Sequence, residues 1–313
     1  MTQLNRIKGK FLGSILGSVI GDSWGARYEG SYHGSIRVED FQMIGGRYTD
    51  DSEMMRGVIE SICANKGEFN GSDMAETFVR NFDHTRGYGP GTVSVLMKIK
   101  DGEPWDEPAK EAFYGEGSLG NGAAMRICPV GLLYHSNQKK LIEITDKISM
   151  ITHSHPLGRQ GAILQACAVA IAVESDPRNF EPYDFIEQLR TLPQKLSPVY
   201  RKKLEKIETY LNSPPPTDKI VKELGVNVTA PDSVPIAIYN FLNNPSNFYE
   251  VLHSSISCGG DTDTIACMSG AISGAFLGIR EIPKNWIDIV EDLDIFQKLS
   301  EDLFELWLEQ SSE

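Results

Sequence analysis

Two short stretches concentrate oxygen donors immediately ahead of apolar, helix-patterned sequence. The first is Gly259-Gly260-Asp261-Thr262-Asp263-Thr264, which runs into an almost wholly apolar segment carrying Gly270, Gly274 and Gly278. Burying ionised carboxylates costs on the order of several kcal/mol each unless a positive group meets them. Asp and Thr are favoured N-caps, which accounts for one such residue at a helix start but not for consecutive donors. The second stretch, Gly45-Gly46-Arg47-Tyr48-Thr49-Asp50-Asp51-Ser52, repeats the pattern some 210 residues earlier. Together Thr49, Asp50, Asp51, Asp261, Asp263 and Thr264, with Glu29 from the Gly25-Ala26-Arg27-Tyr28-Glu29 loop, form a candidate ligand set.

The chemistry of that set is hard. No Cys or His lies in either cluster, so Mg²⁺ or Mn²⁺ is the expected cation. Five carboxylates in one pocket would raise one another's pKa, and two divalent ions would offset four of the five charges. Two metals about 3.5–4 Å apart, bridged by an aspartate and a water, form a known hydrolytic arrangement. Helix N-terminal dipoles are expected to keep the aspartates ionised, as ligation requires. Within the second mouth Thr262 is expected to point away and matter least.

A third stretch, Phe113-Tyr114-Gly115-Glu116-Gly117-Ser118-Leu119-Gly120-Asn121-Gly122-Ala123-Ala124-Met125-Arg126, frees backbone N–H groups at its glycines to face an anion. It is neither a Walker A loop nor a dinucleotide fingerprint, and a plain glycine-rich turn explains it equally well. His153, in Thr152-His153-Ser154-His155-Pro156, reads alone as a helix C-cap. An extended segment there would point His153 and His155 to opposite sides.

The elements that must position these residues are helical. Over residues 6–22 apolar positions recur at three-and-four spacing, with Gly13, Gly17 and Gly21 on one row. Each helical glycine costs about 1 kcal/mol relative to alanine. The row therefore predicts close approach by another helix, with Gly270, Gly274 and Gly278 as the matching ridge and Asp22 brought near Asp261. Further helices are predicted over 72–85, 93–99, 141–151 and 158–173, and in terminal segments over 286–309. Runs of alternating strands, repeats and low-complexity tracts are lacking. The fold class expected is all-α, one globular domain over 1–313.

Composition narrows the function. A formal charge of −13 over 313 residues argues against direct DNA binding by the surface. Five scattered cysteines, without a CxxC, read as reduced core residues. The expected setting is intracellular, cytoplasmic by default, with no membrane span, and the expected state is a monomer.

Taken together, Tyr48-Thr49-Asp50-Asp51-Ser52, the Gly117 to Arg126 loop, Gly259-Gly260-Asp261-Thr262-Asp263-Thr264-Ile265-Ala266 and the opening Leu16-Gly17-Ser18-Val19-Ile20-Gly21-Asp22 closely resemble the ADP-ribosylglycohydrolase family. Ser233-Val234-Pro235-Ile236-Ala237-Ile238-Tyr239 and Tyr28-Glu29 are most similar to the branch acting on serine-linked ADP-ribose, poly(ADP-ribose) and O-acetyl-ADP-ribose. The resemblance implies a compact orthogonal multi-helix bundle with a binuclear Mg²⁺ site at helix N-termini. It implies cleavage of the C1″ bond of O-linked ADP-ribose in small molecules and ADP-ribosylated proteins. Thr49, Asp50 and Asp51 would hold one ion, and Asp261, Asp263 and Thr264 the other, with Asp263 as the bridge. Glu29 would be a mobile ligand and, with Asp261 and Asp263, catalytic. Gly117, Ser118, Gly120 and Asn121 match a diphosphate loop, His153 a ribose or phosphate position, Phe113 an adenine-stacking position, and Ile238 a substrate-binding position. Leu119 stands where an aromatic residue is expected. Loops 31–42 and 101–116 would set the acceptor. Hydrolysis of arginine-linked ADP-ribose, ADP-ribose binding without catalysis, and two-metal phosphoesterase chemistry are the alternatives.

Overall fold

The computed structural model describes residues 3–36, 45–192 and 195–311. Among these residues the regular structure is helical throughout, and the single isolated β-bridge joins Gly120 to Thr229. The all-α class read from the sequence is the class observed.

Two helices form the axis. Gln3–Gly25 and Thr262–Leu277 lie against each other antiparallel, Gly13 opposite Gly274 and Gly17 opposite Gly270. A Cβ placed on Gly17 would stand 2.4 Å from the Gly270 carbonyl oxygen, and one on Gly270 would stand 2.2 Å from that of Gly17. Only glycine permits this approach. The predicted seam therefore exists, with two differences at its ends: Gly21 faces Ala266, and Gly278 terminates the second helix at φ +84°. Small polar side chains bond across the seam. Ser14 Oγ donates to the Ala271 carbonyl at 2.9 Å, and Ser18 Oγ lies 3.0 Å from Cys267 Sγ. Thr262 points away from the carboxylates, as expected, but it is buried and its Oγ1 donates to the Gly25 carbonyl at 2.8 Å. It pins the acid-bearing mouth to the end of the first helix, so its loss matters more than its orientation suggested.

Around this axis pack Pro156–Glu174, Ala230–Asn243 and Phe248–Ser257, all touching Thr262–Leu277. Pro156–Glu174 is long and apolar enough to cross a bilayer, yet 83% of that window is buried inside the protein, as befits a central core helix. At its C-terminal end the buried Lys10 ammonium donates to the carbonyls of Ala172, Val173 and Ser175, satisfying orphan acceptors of the last turn. Asp50–Ala64 is held by Leu293–Ser311 and by the first helix. Helices anticipated at 93–99, 141–151 and 158–173 are Pro90–Lys100, Gln138–Met150 and Pro156–Glu174. The one at 72–85 is Gly71–Asn81, shorter because the Asp83 N–H is taken by the Glu53 carboxylate at 3.0 Å. All five cysteines are free, and four are buried.

Candidate active site

The mouth of Asp50–Ala64 is built by a residue outside it. Asp22, fully buried near the end of the first helix, accepts from the Thr49 N–H (3.0 Å) and Oγ1 (2.8 Å), and from the Ser52 N–H (3.0 Å) and Oγ (2.6 Å). From the opposite side the Arg86 carbonyl accepts the Asp50 N–H at 2.8 Å. The Arg86 guanidinium lies 3.9 Å from the Tyr48 ring centroid and donates to the Tyr48 carbonyl and to Glu291. Thr49 is thus fixed as an N-cap.

The other mouth depends on two glycines at positive φ, Gly259 (+71°) and Gly260 (+77°). A Cβ on Gly260 would meet the Val226 carbonyl at 2.0 Å. Gly260 exchanges backbone hydrogen bonds with Gly30 and Ser31 (2.8 and 2.9 Å), while the Asp261 N–H donates to Val226 at 2.9 Å. This lacing brings Glu29 beside the helix mouth, where one carboxylate oxygen from each of Glu29, Asp261 and Asp263 lies within 4.8 Å of the others. Thr264 Oγ1 donates to Asp51 Oδ1 at 3.4 Å, closing the two mouths onto each other across 213 residues of sequence.

Among the described residues no Lys or Arg lines the cavity beside this cluster to offset its charge. Burial pushes the carboxyls of Asp51, Asp261 and Asp263 above their ordinary range and that of Asp50 to about 8; for Asp50, Asp51 and Asp263 repulsion from neighbouring carboxylates adds to it. Glu29, on the exposed rim, is raised by burial and then by Asp261. Without a cation, desolvation thus opposes the ionisation that the helix dipoles favour. Among the described residues one buried oxygen, Asp51 Oδ2, finds no hydrogen-bond partner. Hard oxygens, an orphaned carboxylate atom and unbalanced negative charge fit a divalent Mg²⁺ or Mn²⁺ site.

These raised values carry a stability consequence. A carboxyl whose folded pKa is raised favours the fold below its unfolded pKa, and that contribution is lost as pH climbs toward the folded value. The cation-free protein is expected to melt at progressively lower temperature between pH 5.5 and 7.5. Mg²⁺ is expected to restore more stability at pH 7.5 than at 5.5, because it competes with protons for the same oxygens. Thermal melts with chelator and with Mg²⁺ test this, and an increment that does not grow with pH contradicts it.

A cavity of about 460 Å³ leads from the cluster past the glycine-rich loop to Phe113, a size usual for small-molecule sites. Glu29, Asp50, Asp51, Phe113, Gly117, Ser118, Leu119, Gly120, Asn121, His153, Asp261, Asp263 and Thr264 all line it. Two anticipated residues do not. Thr49 lies behind the wall, bonded to Asp22. Ile238 has no exposed surface and belongs to the apolar core of Ala230–Asn243, so it is a packing residue here, not a substrate contact.

Other placements sharpen the reading. Phe113 is 57% exposed at a left-handed φ of +53°, at the outer end of the cavity. His153 is buried, and its imidazole is pushed down to about 3 by burial and by Arg126, leaving it neutral. Its ring packs beneath Gly120 and Gly122, where a Cβ would stand 3.2 and 2.6 Å from the imidazole. His155 lines the same cavity, because the chain turns at its N-cap instead of continuing extended. Among the described residues nothing accepts from the Ser118 and Leu119 N–H groups, which leaves them to an anion.

Asn121 departs most from expectation. Its side chain turns away from the loop's anion face, and Nδ2 donates to Asp261 Oδ2 at 2.5 Å and to Ser233 Oγ at 3.1 Å. It orients one carboxylate of the cluster. Asn121→Ala is expected to lower kcat roughly 10–100-fold, the usual effect of losing such a supporting bond, with a smaller change in KM. Steady-state kinetics check this, and an unchanged kcat contradicts it. Asp22, Ser52 and Arg86 likewise hold the site without standing out in the sequence. Asp22 had a faint signal, since it ends the glycine row one residue after Gly21.

A helical bundle whose two acid-bearing mouths face one cavity beside an anion-ready glycine loop defines a class. The chain belongs to the ADP-ribosylglycohydrolase family, an enzyme family whose sequence model matches residues 3–313. Among curated relatives it is similar to ADP-ribosylhydrolase ARH3 of Xenopus tropicalis, 39% identical over 76% of each chain. It is similar also to the Homo sapiens protein of that name, 38% identical over 76% of this chain and 73% of the relative. A solved structure, "ADP-ribosylglycohydrolase-related protein complex", shares the fold at a TM-score of 0.77, with 23% identity over 97% of this chain and 99% of that one.

Proposed function

We propose that the protein is a divalent-metal-dependent hydrolase that cleaves the C1″ glycosidic bond of O-linked ADP-ribose, on serine-modified proteins, in poly(ADP-ribose) and in O-acetyl-ADP-ribose. The observation that carries this reading is the Thr264 to Asp51 contact of 3.4 Å, which joins the two oxygen-rich mouths into one cluster at one end of the cavity. Similarity to the ADP-ribosylhydrolase ARH3 proteins supports it.

Two Mg²⁺ or Mn²⁺ ions held by Glu29, Asp50, Asp51, Asp261, Asp263 and Thr264 would supply Lewis acidity toward the ribose hydroxyls and toward a water. The protein's own groups do the rest. The Ser118 and Leu119 N–H groups cradle the diphosphate, neutral His153 supports the loop beneath it, and Phe113 offers a ring face to adenine. Leu119 offers no second ring, so adenine is stacked on one side. Asn121 keeps Asp261 aimed at the ribose end, where an oxocarbenium-like transition state develops. Glu29, on the rim with a raised carboxyl, is placed to exchange a proton with the incoming water or the departing oxygen.

A panel of serine-linked, arginine-linked, polymeric and acetyl-ester substrates tests the reading. Release from the O-linked substrates with little from the arginine-linked one supports it. The reverse order assigns the protein to N-linked substrates.

A further inference from the structure

Beyond Glu29 the molecule carries a second cavity, of about 640 Å³, that shares Glu29, Val228 and Asp261 with the first. Residues 226–230 form the ridge between the two: the Val226 carbonyl holds the Asp261 N–H, and the Val228 carbonyl holds the Asn121 N–H, each at 2.9 Å. If the diphosphate and adenine ends of the substrate lie in the first cavity, the bond to be cut stands at the shared acids. The group on its far side must then leave through the second.

We propose that this second cavity is the acceptor subsite, and that Asp218 on its wall makes it select peptide acceptors with positive flanks over the anionic polymer. The proposal rests on the hydrolase reading above and names the substrate class for it. The remaining wall comes from residues 30–33, Val221, Val226, Asn227, Cys258 and Gly260, and among the described residues no Lys or Arg lines it. Lys219 and Lys222, on the same helix as Asp218, are not among the lining residues. Tyr32 is 84% exposed and offers a bare ring at the entrance. His33 is fastened by its Nδ1 to the Ser257 carbonyl at 2.9 Å and sets its Nε2 3.1 Å from Asp218. The Asp218 side chain nevertheless stays 88% exposed.

Charge decides which acceptor this wall suits. Glu29 and Asp261 are committed to the acid cluster, so Asp218 is the carboxylate that an acceptor meets first. In poly(ADP-ribose) the acceptor is another ADP-ribose unit, whose diphosphate would approach a wall whose described residues include no Lys or Arg to receive it. A peptide flanked by lysine meets attraction in place of repulsion.

The test compares kcat/KM of the Mg²⁺-loaded full-length protein on serine-ADP-ribosylated peptides flanked by lysine or by glutamate, and on poly(ADP-ribose). Wild type is expected to favour the lysine-flanked peptide by roughly fivefold at low salt, an effect of the size that one near-surface charge pair gives. Asp218→Lys is expected to cancel or invert that ratio and to raise the relative rate on polymer. Because each ratio is taken within one variant, partial loss of folding or of overall activity cancels out. Asp288→Lys, a charge reversal elsewhere on the surface, is expected to leave the ratio as in wild type. An active Asp218→Lys enzyme with the wild-type ratio overturns the subsite alone, as does an equal shift in Asp288→Lys. Absence of release from every substrate overturns the hydrolase reading and the subsite with it.

Discussion

Asp51→Asn is expected to abolish ADP-ribose release while leaving a folded protein that, without divalent cations, is at least as stable as wild type. The two halves have different causes. Asp51 is buried, its Oδ2 finds no hydrogen-bond partner among the described residues, and its carboxyl is pushed up by burial and then by Asp22, Asp263, Asp50 and Asp261. Desolvation and the four neighbouring carboxylates oppose ionisation at this position, so a neutral amide there relieves the cation-free fold. The same charge is what a divalent ion needs, and its loss is expected to lower kcat/KM by roughly 10³-fold, or about 4 kcal/mol of barrier. Melts in chelator and in Mg²⁺ separate the effects: wild type gains from Mg²⁺ and Asp51→Asn does not. A variant that is destabilised in chelator yet keeps the Mg²⁺ increment would show Asp51 to be a structural residue.

Gly17→Leu is expected to yield no soluble folded protein. The added Cβ alone would stand 2.4 Å from the Gly270 carbonyl oxygen and 3.2 Å from the Phe248 ring. Neither a helix backbone nor a packed ring can withdraw cheaply, so the two axial helices must part. Overpacking ordinarily costs about 1–3 kcal/mol, and here the remainder of the leucine follows the first clash, against a total stability of about 5–15 kcal/mol. Gly17→Ala gives the quantitative form: a cost of about 3 kcal/mol lowers Tm by roughly 4–5 °C for a chain of this length. Gly9, on the same helix, is the control, because a Cβ there would meet only Ile279 Cγ2 at 3.9 Å. Gly9→Ala should therefore show the ordinary helix-propensity gain, up to about 1 kcal/mol. A Gly17→Ala protein that melts higher than wild type contradicts the seam.

The site divides into features written locally in the chain and features that are not. Glycines every fourth residue announce a close helix contact wherever they fall, and Gly13, Gly17, Gly270 and Gly274 meet as their spacing required. Donors stacked before an apolar run announce a helix mouth that needs a cation, so Asp50, Asp51, Asp261, Asp263 and Thr264 were legible and share one cavity. Side-chain direction is different, because it depends on which distant segment arrives alongside. Asn121 belongs to a glycine loop by sequence, yet it bonds Asp261, since residues 226–230 carry the two together. Ile238 shares a motif with Ser233, but a helix sends them different ways: Ser233 reaches Asn121, and Ile238 enters the core. Asp22 shows the same limit in another form. It sits in a helical run that gives no hint of the four donors converging on it from residues 49 and 52. Part of loop 31–42, residues 37–42, lies outside the described residues, and its expected part in acceptor choice rests here on residues 31–33 alone.

The central claim is that this acid cluster cuts at C1″ and needs divalent cations to do so. Product analysis of a serine-ADP-ribosylated peptide incubated with the protein, in Mg²⁺ and in excess chelator, tests it most directly. The account predicts free ADP-ribose and unmodified serine in Mg²⁺, and loss of release in chelator. AMP as the product, or an undiminished rate in chelator, would contradict it.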